Sequence, residues 1–303
     1  VNISNELSTQ YSVRGGNFDE NLVYVNDVEV YRPFLIRSGQ QEGLSFVNTD
    51  LIKSINFSSG GFQSKYGDKM SSVLDIKYRK PLKNKFSSNL NLLGSRISSD
   101  LLSKNSKISN ILGFRYRDNS LLVESKETKT NYRPSFIDFQ NLFNYTISDK
   151  IELSLFSNIS VNNYNYEPKT RQTNFGTLED PTALIVYYDG QEKDKYKTFF
   201  SSLTTKIKFN KNLVLKFITS TFNTIENEYF DILAQYNLGE VNSSIGDENL
   251  GEVEFSEGIG AQLNHARNSL DALIFNIENK LYYKIDDNNL EFSVKYTSEN
   301  IDD

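Results

Sequence analysis

The sequence predicts a mainly β chain, in which a small α+β domain is followed by the first antiparallel strands of a large transmembrane β-barrel. Two observations predict the barrel strands. From about residue 82 onward, apolar and polar residues alternate with a period of two over runs of about 9–11 residues, the length of a membrane-spanning strand. Short turns and long polar connections join these runs in alternation, as they do in transmembrane barrels.

The clearest alternation surrounds Leu273, which shares one face with Phe275 and Ile277, while Glu278 and Lys280 occupy the other. A short turn at 286–289 leads into a second alternating run, so these two runs predict a hairpin. The same pattern predicts about nine strands in total. The other runs lie at 86–93, 96–102, 108–116, 137–147, 151–161, 199–209 and 213–217.

The connections between these runs favour a membrane barrel over a soluble sandwich. Short turns are predicted at 148–150, 210–212 and 286–289, and long loops at about 119–134, 165–195 and 230–262. Lys206 and Lys216 place charges in mid-strand on the polar face, as Glu278 and Lys280 do. In a sandwich these would lie on the wet face, whereas in a barrel they would line a hydrated or plugged lumen.

Composition excludes several classes of function. The 303 residues carry a net charge of -6 without a basic cluster, which argues against nucleic acid binding. Aromatic residues make up 13% although the mean hydropathy is -0.50, and a disordered chain would be poor in them. The chain has no Cys and a single His, His265. We therefore expect no catalytic residues, no metal site and no cofactor.

The first residue is Val1, and neither an export signal nor a run of 18 apolar residues follows it. The last residue follows directly on a strand-like run. We therefore expect an internal fragment that lacks N-terminal and C-terminal parts of a longer protein.

The N-terminal segment contains two glycine-bearing motifs. The first is Tyr-Ser-Val-Arg-Gly-Gly-Asn at 11–17, followed by an apolar run at 21–30. The second runs from Ile52 to Lys77 and includes Gly-Gly-Phe, Tyr-Gly and a terminal strand. In this order, they resemble the plug domain of TonB-dependent outer-membrane receptors, in a sequence form common among Bacteroidetes. The motifs depart from the family pattern at Asn26-Asp27-Val28, where Asp-Gly is usual, and at Asn56, where Glu is usual.

The resemblance implies a plug domain over residues 1–81, incomplete at its N-terminus, and the first barrel strands over residues 82–303. It further implies a multi-pass barrel of about 22 strands in the outer membrane of a Gram-negative bacterium. Such receptors import siderophores, vitamins, oligosaccharides or peptides. The implied partners are outer-membrane lipid, the substrate, the TonB–ExbB–ExbD complex acting through a missing upstream segment, and a surface lipoprotein.

Two other functions remain open at this point. A non-transporting adhesin or structural barrel would keep the strands but would need neither plug motif. An outer-membrane enzyme would need an acid–base constellation, and His265 is the only imidazole available.

The plug motifs supply one set of candidate residues: Arg14, Gly15, Gly16, Gly60, Gly61, Tyr66 and Gly67. The glycines allow positive φ or close backbone approach, which ordinary turn chemistry also requires. The Arg14 guanidinium is suited to fork onto carboxylates or carbonyls and to pin the plug against the barrel wall. The alternative is an ordinary surface arginine.

Between the motifs, an aromatic and polar loop at 31–43 offers donors and stacking surfaces for a substrate. Its candidate substrate-binding residues are Arg32, Phe34, Arg37, Gln40 and Gln41. The alternative is a loop that packs against the barrel wall. An acidic stretch at 246–257 offers oxygen ligands for Ca²⁺, but its spacing favours a solvated loop.

Overall fold

The computed structural model describes residues 11–31, 33, 45–67, 71–121, 130–177 and 180–303. These residues contain a four-stranded sheet, a ten-stranded sheet and two short 3-10 helices, Phe18–Glu20 and Thr49–Leu51. Within the described ranges, no helix has the length and apolar character needed to cross a membrane. The prediction of a mainly β chain is confirmed.

The four-stranded sheet, here called the N-terminal sheet, has the spatial order β2-β1-β4-β3. Its strands are β1 Asn21–Val25, β2 Val28–Glu29, β3 Ile52–Ser58 and β4 Ser72–Tyr78. Strands β1 and β4 pair in parallel at the centre, and β2 and β3 pair antiparallel at the edges. All five residues of β1 are buried, which is typical of a central strand covered on both faces.

The turn between β1 and β2 explains one departure from the family pattern. Asn26 and Asp27 have φ angles of 52° and 71°, so both central residues of this two-residue hairpin are left-handed. Such turns favour Asn, Asp and Gly because these residues tolerate positive φ. Asn-Asp therefore serves the same hairpin geometry as the more usual Asp-Gly.

The ten-stranded sheet, here called the wall, is antiparallel throughout. Its strands are β5 Lys85–Asn91, β6 Gly94–Leu102, β7 Ile108–Asp118, β8 Thr130–Thr146, β9 Ile151–Pro168, β10 Arg171–Gly176, β11 Pro181–Lys208, β12 Leu213–Val241, β13 Val253–Ile285 and β14 Asn288–Asp302. Strands that follow one another in sequence pair in space, with one exception. Strand β10 pairs only with the first six residues of β11, Pro181–Val186, and β9 pairs with the later part of β11.

The predicted long loops at 165–195 and 230–262 are wrong in their extent. Strand β9 continues to Pro168 and β11 begins at Pro181, while β12 and β13 are 29 and 33 residues long and leave 242–252 between them. A strand of 29 residues is about 95 Å long, well beyond what a bilayer of about 30 Å requires even when tilted. Beyond the bilayer, neither face of a strand needs to be apolar. The hydrogen-bonded pairing of the strands therefore continues where the alternation of apolar and polar residues ends.

The wall has two distinct faces. On β8, β9, β11, β12 and β13, odd-numbered residues form an outer row with large exposed side chains, such as Phe139 at 41% and Phe199 at 42% exposure. Even-numbered residues form an inner row, in which Phe200 is fully buried. Of the hydrated or plugged lumen that was predicted, this part of the wall has the plugged form, since the N-terminal sheet covers the inner row and makes its centre dry.

Candidate functional site

The candidate site is the interface between the N-terminal sheet and the inner row of the wall. Phe156, Phe200 and Phe222 belong to the inner row and pack in one buried cluster with residues of β1, β2 and β4. The Tyr78 ring meets Phe156 at 5.6 Å between centroids, and Phe46 meets Phe200 at 5.8 Å, both edge to face. Aromatic pairs at this spacing add specific geometry to apolar burial.

A buried polar network lies beside this cluster. Arg115 on β7 is paired with Asp138 on β8 through two nitrogen–oxygen contacts of 2.7 and 2.6 Å, and both side chains are nearly inaccessible. The same guanidinium donates to the carbonyl oxygens of Ser45 and Val47, at 2.9 and 3.0 Å. One wall arginine therefore binds a wall carboxylate and the backbone that precedes β3, a geometry that only a guanidinium supplies.

Gln140, also on β8, extends this network into the N-terminal sheet. It is fully buried, and its amide oxygen accepts a hydrogen bond of 2.7 Å from the Tyr78 hydroxyl. Its amide nitrogen donates to the carbonyl oxygen of Phe46, at 2.5 Å, and to Asp138, at 3.0 Å. The network therefore fixes the position of both β4 and the segment before β3 on the wall.

A second polar cluster surrounds Asp27 in the β1–β2 turn. Its carboxylate accepts hydrogen bonds from Lys77 of the N-terminal sheet and from Lys216 of the wall, the latter at 2.6 Å. Lys280 donates to the Asp27 carbonyl oxygen at 3.2 Å. Burial alone would raise the pKa of Asp27, but the charges and hydrogen bonds of the two lysines outweigh burial and hold this pKa well below its usual range.

Further ion pairs join the two sheets along their length. Arg79 binds Asp100 on β6 through contacts of 3.0 and 2.6 Å. Lys295 on β14 binds Glu29 at 2.7 Å and the Tyr31 hydroxyl at 3.1 Å. Other pairs between the sheets join Lys80 to Glu152, Arg96 to Asp50 and Lys65 to Glu291. The interface is therefore a dry aromatic centre with ionic contacts on both sides.

The first plug motif forms a tight turn. Arg14 and Gly15 have φ angles of 55° and 79°, and the Gly16 amide donates to the Val13 carbonyl at 3.0 Å. A Cβ at Gly16 would overlap Ser71 Oγ, so the close approach predicted for this glycine is present.

The exposed Arg14 guanidinium lies against the backbone of Gly60, where an added Cβ would overlap Nη1. Gly60 and Gly61 have φ angles of 145° and 61°, as their turn chemistry predicts. The contact of Arg14 with Gly60 joins the two motifs within the N-terminal sheet. It gives no support to the expectation that Arg14 pins the plug to the wall, which stays a prediction.

Tyr66 reaches into the N-terminal sheet from the second motif. Its hydroxyl donates to Asp75 at 2.9 Å, and its ring packs edge to face on Tyr24 at 5.2 Å. Burial, together with the neighbouring Asp75 carboxylate, raises the pKa of Tyr66. A Cβ at Gly67 would meet nothing within 4 Å. The role of Gly67 therefore does not depend on close packing.

The predicted substrate-binding residues Arg32, Phe34, Arg37, Gln40 and Gln41 all lie outside the described residues. Their role stays a prediction. In the described part of the chain, no group of three or more His, Asp or Glu side chains could hold a metal ion. His265 lies in an exposed cluster with Asp231 and Arg267, on paired strands β12 and β13.

Sequence reasoning missed the residues that build the interface. The inner-row aromatics were overlooked because they break the alternation beside outer-row residues, in pairs such as Leu155-Phe156 and Phe199-Phe200. Two adjacent large apolar residues in an alternating strand indicate that both faces are dry at that level. That signal would have located the interface.

Comparison with known proteins gives one family match. Residues 1–72 match the model of the TonB-dependent Receptor Plug Domain. This segment is a TonB-dependent receptor plug domain. The segment contains β1 to β3 of the N-terminal sheet and reaches the first residue of β4. The N-terminal sheet, together with its connections, is hereafter called the plug. A comparison with curated protein sequences finds no significant match.

Solved receptor structures are similar to the chain in structure. The pyoverdine receptor FpvA of Pseudomonas aeruginosa PAO1 is 8% identical with a TM-score of 0.44, over 96% of this chain and 51% of the receptor. The ferric enterobactin receptor PfeA of Pseudomonas aeruginosa is 12% identical with a TM-score of 0.41, over 96% and 52%. The ferric preacinetobactin receptor BauA of Acinetobacter baumannii is 9% identical with a TM-score of 0.41, over 99% and 53%. The chain thus spans about half the length of these receptors, and similarity at this level identifies neither a substrate nor an activity.

The plug family and the exposed apolar outer row of the wall together place the chain in the outer membrane. The wall supplies the lipid-facing surface, and the plug lies against its inner row. The predicted localisation and the architecture of a plug with part of a barrel are confirmed. The Bacteroidetes origin stays a prediction.

Proposed function

We propose that the chain is the plug and part of the barrel wall of a TonB-dependent importer for a scarce nutrient, with residues 1–81 as the plug and 82–303 as the wall. The observation that carries this proposal is the burial of a plug-family domain against the inner row of a sheet whose outer row suits lipid. A domain in that position obstructs passage along the inner face, so import requires that it move or deform.

The contacts at the interface suit a plug that is held firmly but reversibly. The ionic contacts at Asp27 and Arg79 are partly buried, so separating them costs less than separating a fully buried ion pair. The aromatic centre and the Arg115 network are buried more deeply and cost more to separate. We infer that a mechanical pull breaks the partly buried contacts first. The TonB–ExbB–ExbD complex is the partner proposed to supply that force.

The proposed substrate contacts are the loop residues Arg32, Phe34, Arg37, Gln40 and Gln41, and the loop enters from Tyr31. The Tyr31 hydroxyl donates to Asn276 on β13 at 3.1 Å, and its ring lies 5.9 Å from Phe222. The start of the loop is therefore anchored on the wall. Replacing Arg32 and Arg37 with Ala in the full-length receptor should weaken uptake, whereas unchanged binding and growth on the cognate nutrient would remove these residues from the site.

The function is tested with the full-length receptor as the sole route for a limiting nutrient. Cells receive ferric siderophores, cobalamin, oligosaccharides or peptides in turn, with and without an intact TonB complex. We expect uptake of one class to depend on both the receptor and TonB. Uptake that persists without TonB, or a receptor deletion without effect on every class, would contradict energised import. A catalytic role and a lipoprotein partner are not needed for this result.

A further inference from the structure

Among the described residues, the short-turn end of the wall is rich in lysine, and one long connection at the opposite end is acidic. The short turns that connect β6 to β7, β8 to β9, β11 to β12 and β13 to β14 lie together at one end. The exposed lysines at this end, here called the turn lysines, are Lys104, Lys107, Lys150, Lys208, Lys211 and Lys284. The long connection 242–252 at the opposite end carries exposed carboxylates at Asp247, Glu248 and Glu252. This polarity occurs in a chain whose net charge is -6.

The turn lysines adjoin apolar residues of the outer row. Phe209, which is 52% exposed, lies between Lys208 and Lys211. Ile108, which is 40% exposed, follows Lys107, and Ile285, which is 41% exposed, follows Lys284. Ile147, which is 42% exposed, lies three residues before Lys150. An apolar side chain with a neighbouring ammonium suits the boundary between acyl chains and headgroups.

Most of these ammonium groups have no carboxylate partner among the residues that the structure describes. Among the ion pairs between described residues, none involves Lys104, Lys107, Lys208 or Lys211. The β13–β14 turn differs, because Asp286 and Asp287 offset Lys284 there. The positive charge is therefore concentrated at the β6–β7 and β11–β12 turns.

We propose that the turn lysines bind the phosphodiester groups of anionic phospholipids, which thereby fixes the depth of the wall in the leaflet that faces the periplasm. This inference rests on the proposed function and on the orientation usual in outer-membrane barrels, in which short turns face the periplasm. An ammonium near an anionic lipid surface raises the association constant about fivefold per lysine at low salt. The attraction weakens within a Debye length of about 10 Å at 0.1 M salt.

The test uses the full-length receptor in phosphatidylcholine vesicles that contain traces of spin-labelled phosphatidylglycerol or phosphatidylcholine. Electron paramagnetic resonance measures the fraction of each label that the protein immobilises. We expect the wild-type receptor to prefer phosphatidylglycerol. In a variant with Lys→Gln at 104, 107, 208 and 211, we expect the preference for phosphatidylglycerol over phosphatidylcholine to fall by a factor of at least about five.

Three controls keep the test decisive. A Lys→Arg variant at the same four positions should retain the preference, because it retains the charge. Removing four charges from other exposed positions with Lys169→Gln, Arg171→Gln, Lys193→Gln and Lys195→Gln should leave it unchanged. Inorganic phosphate at constant ionic strength should not displace the lipid.

The inference would be overturned if the variant at 104, 107, 208 and 211 still preferred phosphatidylglycerol. It would also be overturned if the control variant at 169, 171, 193 and 195 lost this preference equally. Displacement by inorganic phosphate would assign the lysines to a free oxyanion instead. Lipid preference is measured without transport, so a receptor that prefers phosphatidylglycerol but fails the uptake test would refute only the proposed function.

Discussion

Replacing Asp27 with Asn tests how strongly the partly buried ionic contacts hold the plug. Asn has the same size and tolerates the φ of 71° at this position, so the change removes the charge and leaves the turn intact. It leaves Lys77 and Lys216 without their shared carboxylate. The side chains of Asp27, Lys77 and Lys216 are 23%, 31% and 19% exposed, which places both pairs between a surface and a buried salt bridge.

The expected magnitude follows from that intermediate burial. Exposed pairs contribute up to about 1 kcal/mol, and removing one partner from a buried pair costs about 3–5 kcal/mol. For two partly buried pairs on one carboxylate, we expect a loss of about 2–3 kcal/mol in the local stability of the β1–β2 hairpin. That loss corresponds to an increase of about 30- to 150-fold in hairpin opening.

Hydrogen exchange of the β1 amides in the full-length, membrane-embedded receptor measures this opening directly. The matched control is Asp286→Asn, because Asp286 also has a positive φ, 49°, but lies exposed in the β13–β14 turn. Asp27→Asn should accelerate exchange in β1, and Asp286→Asn should not. Acceleration of less than about threefold at β1, or an equal effect from Asp286→Asn, would refute the role assigned to this carboxylate.

Three further predictions address the plug and its contacts with the wall. Gly60→Ala should destabilise the plug by about 1–3 kcal/mol in chemical unfolding, because it forces a positive φ on Ala and displaces Arg14. Gly67→Ala is the control and should have little effect on stability. Equal effects of the two substitutions would contradict this account. Arg115→Met should cost about 3–5 kcal/mol by leaving Asp138 buried without its partner, and Arg115→Lys should recover only part of this, so full recovery would argue against the forked contact. The Asp27 carboxylate has a low pKa in the folded protein. It therefore stabilises the plug fully above its unfolded pKa of about 3.9, and this stabilisation is lost only below that value. The hydrogen-exchange rate of the β1 amides, corrected for intrinsic rates, should therefore not change between pH 8 and 5.

The fold class was predictable because period-two alternation depends on a local physical difference between lipid and the inner face. Strand β4 coincides with the terminal strand expected in the second plug motif, since the apolar residues Val73, Leu74 and Ile76 mark it in the sequence. The parts of β12 and β13 nearest the 242–252 connection were missed because they extend beyond the membrane, where neither face of a strand needs to be apolar. Hydrogen bonds between strands then extend the ladder without an apolar pattern to reveal it.

The interface was less predictable because its contacts join residues far apart in sequence. Asp27 and Lys216 are separated by 189 positions, and neither position alone indicates the other. Arg115 reads in sequence as one more polar residue in an alternating strand, and its role appears only when Asp138 and the carbonyls before β3 surround it. Pairing and docking, which are long-range properties, decide the function of such side chains.

The division of the wall into a plug-facing row and a lipid-facing row is tested most directly at adjacent residues. Ser202 is 3% exposed in the inner row, and Leu203 is 43% exposed in the outer row. The chain has no Cys, so Ser202→Cys and Leu203→Cys each introduce a single thiol into it. Reactivity with a membrane-permeant fluorescent maleimide, followed by quenching with doxyl-labelled lipid, reports the surroundings of each thiol in the full-length receptor. The account predicts a reactive, lipid-quenched label at 203 and an unreactive thiol at 202 until the protein is unfolded. Equal quenching at both positions, or quenching at 202 alone, would contradict it.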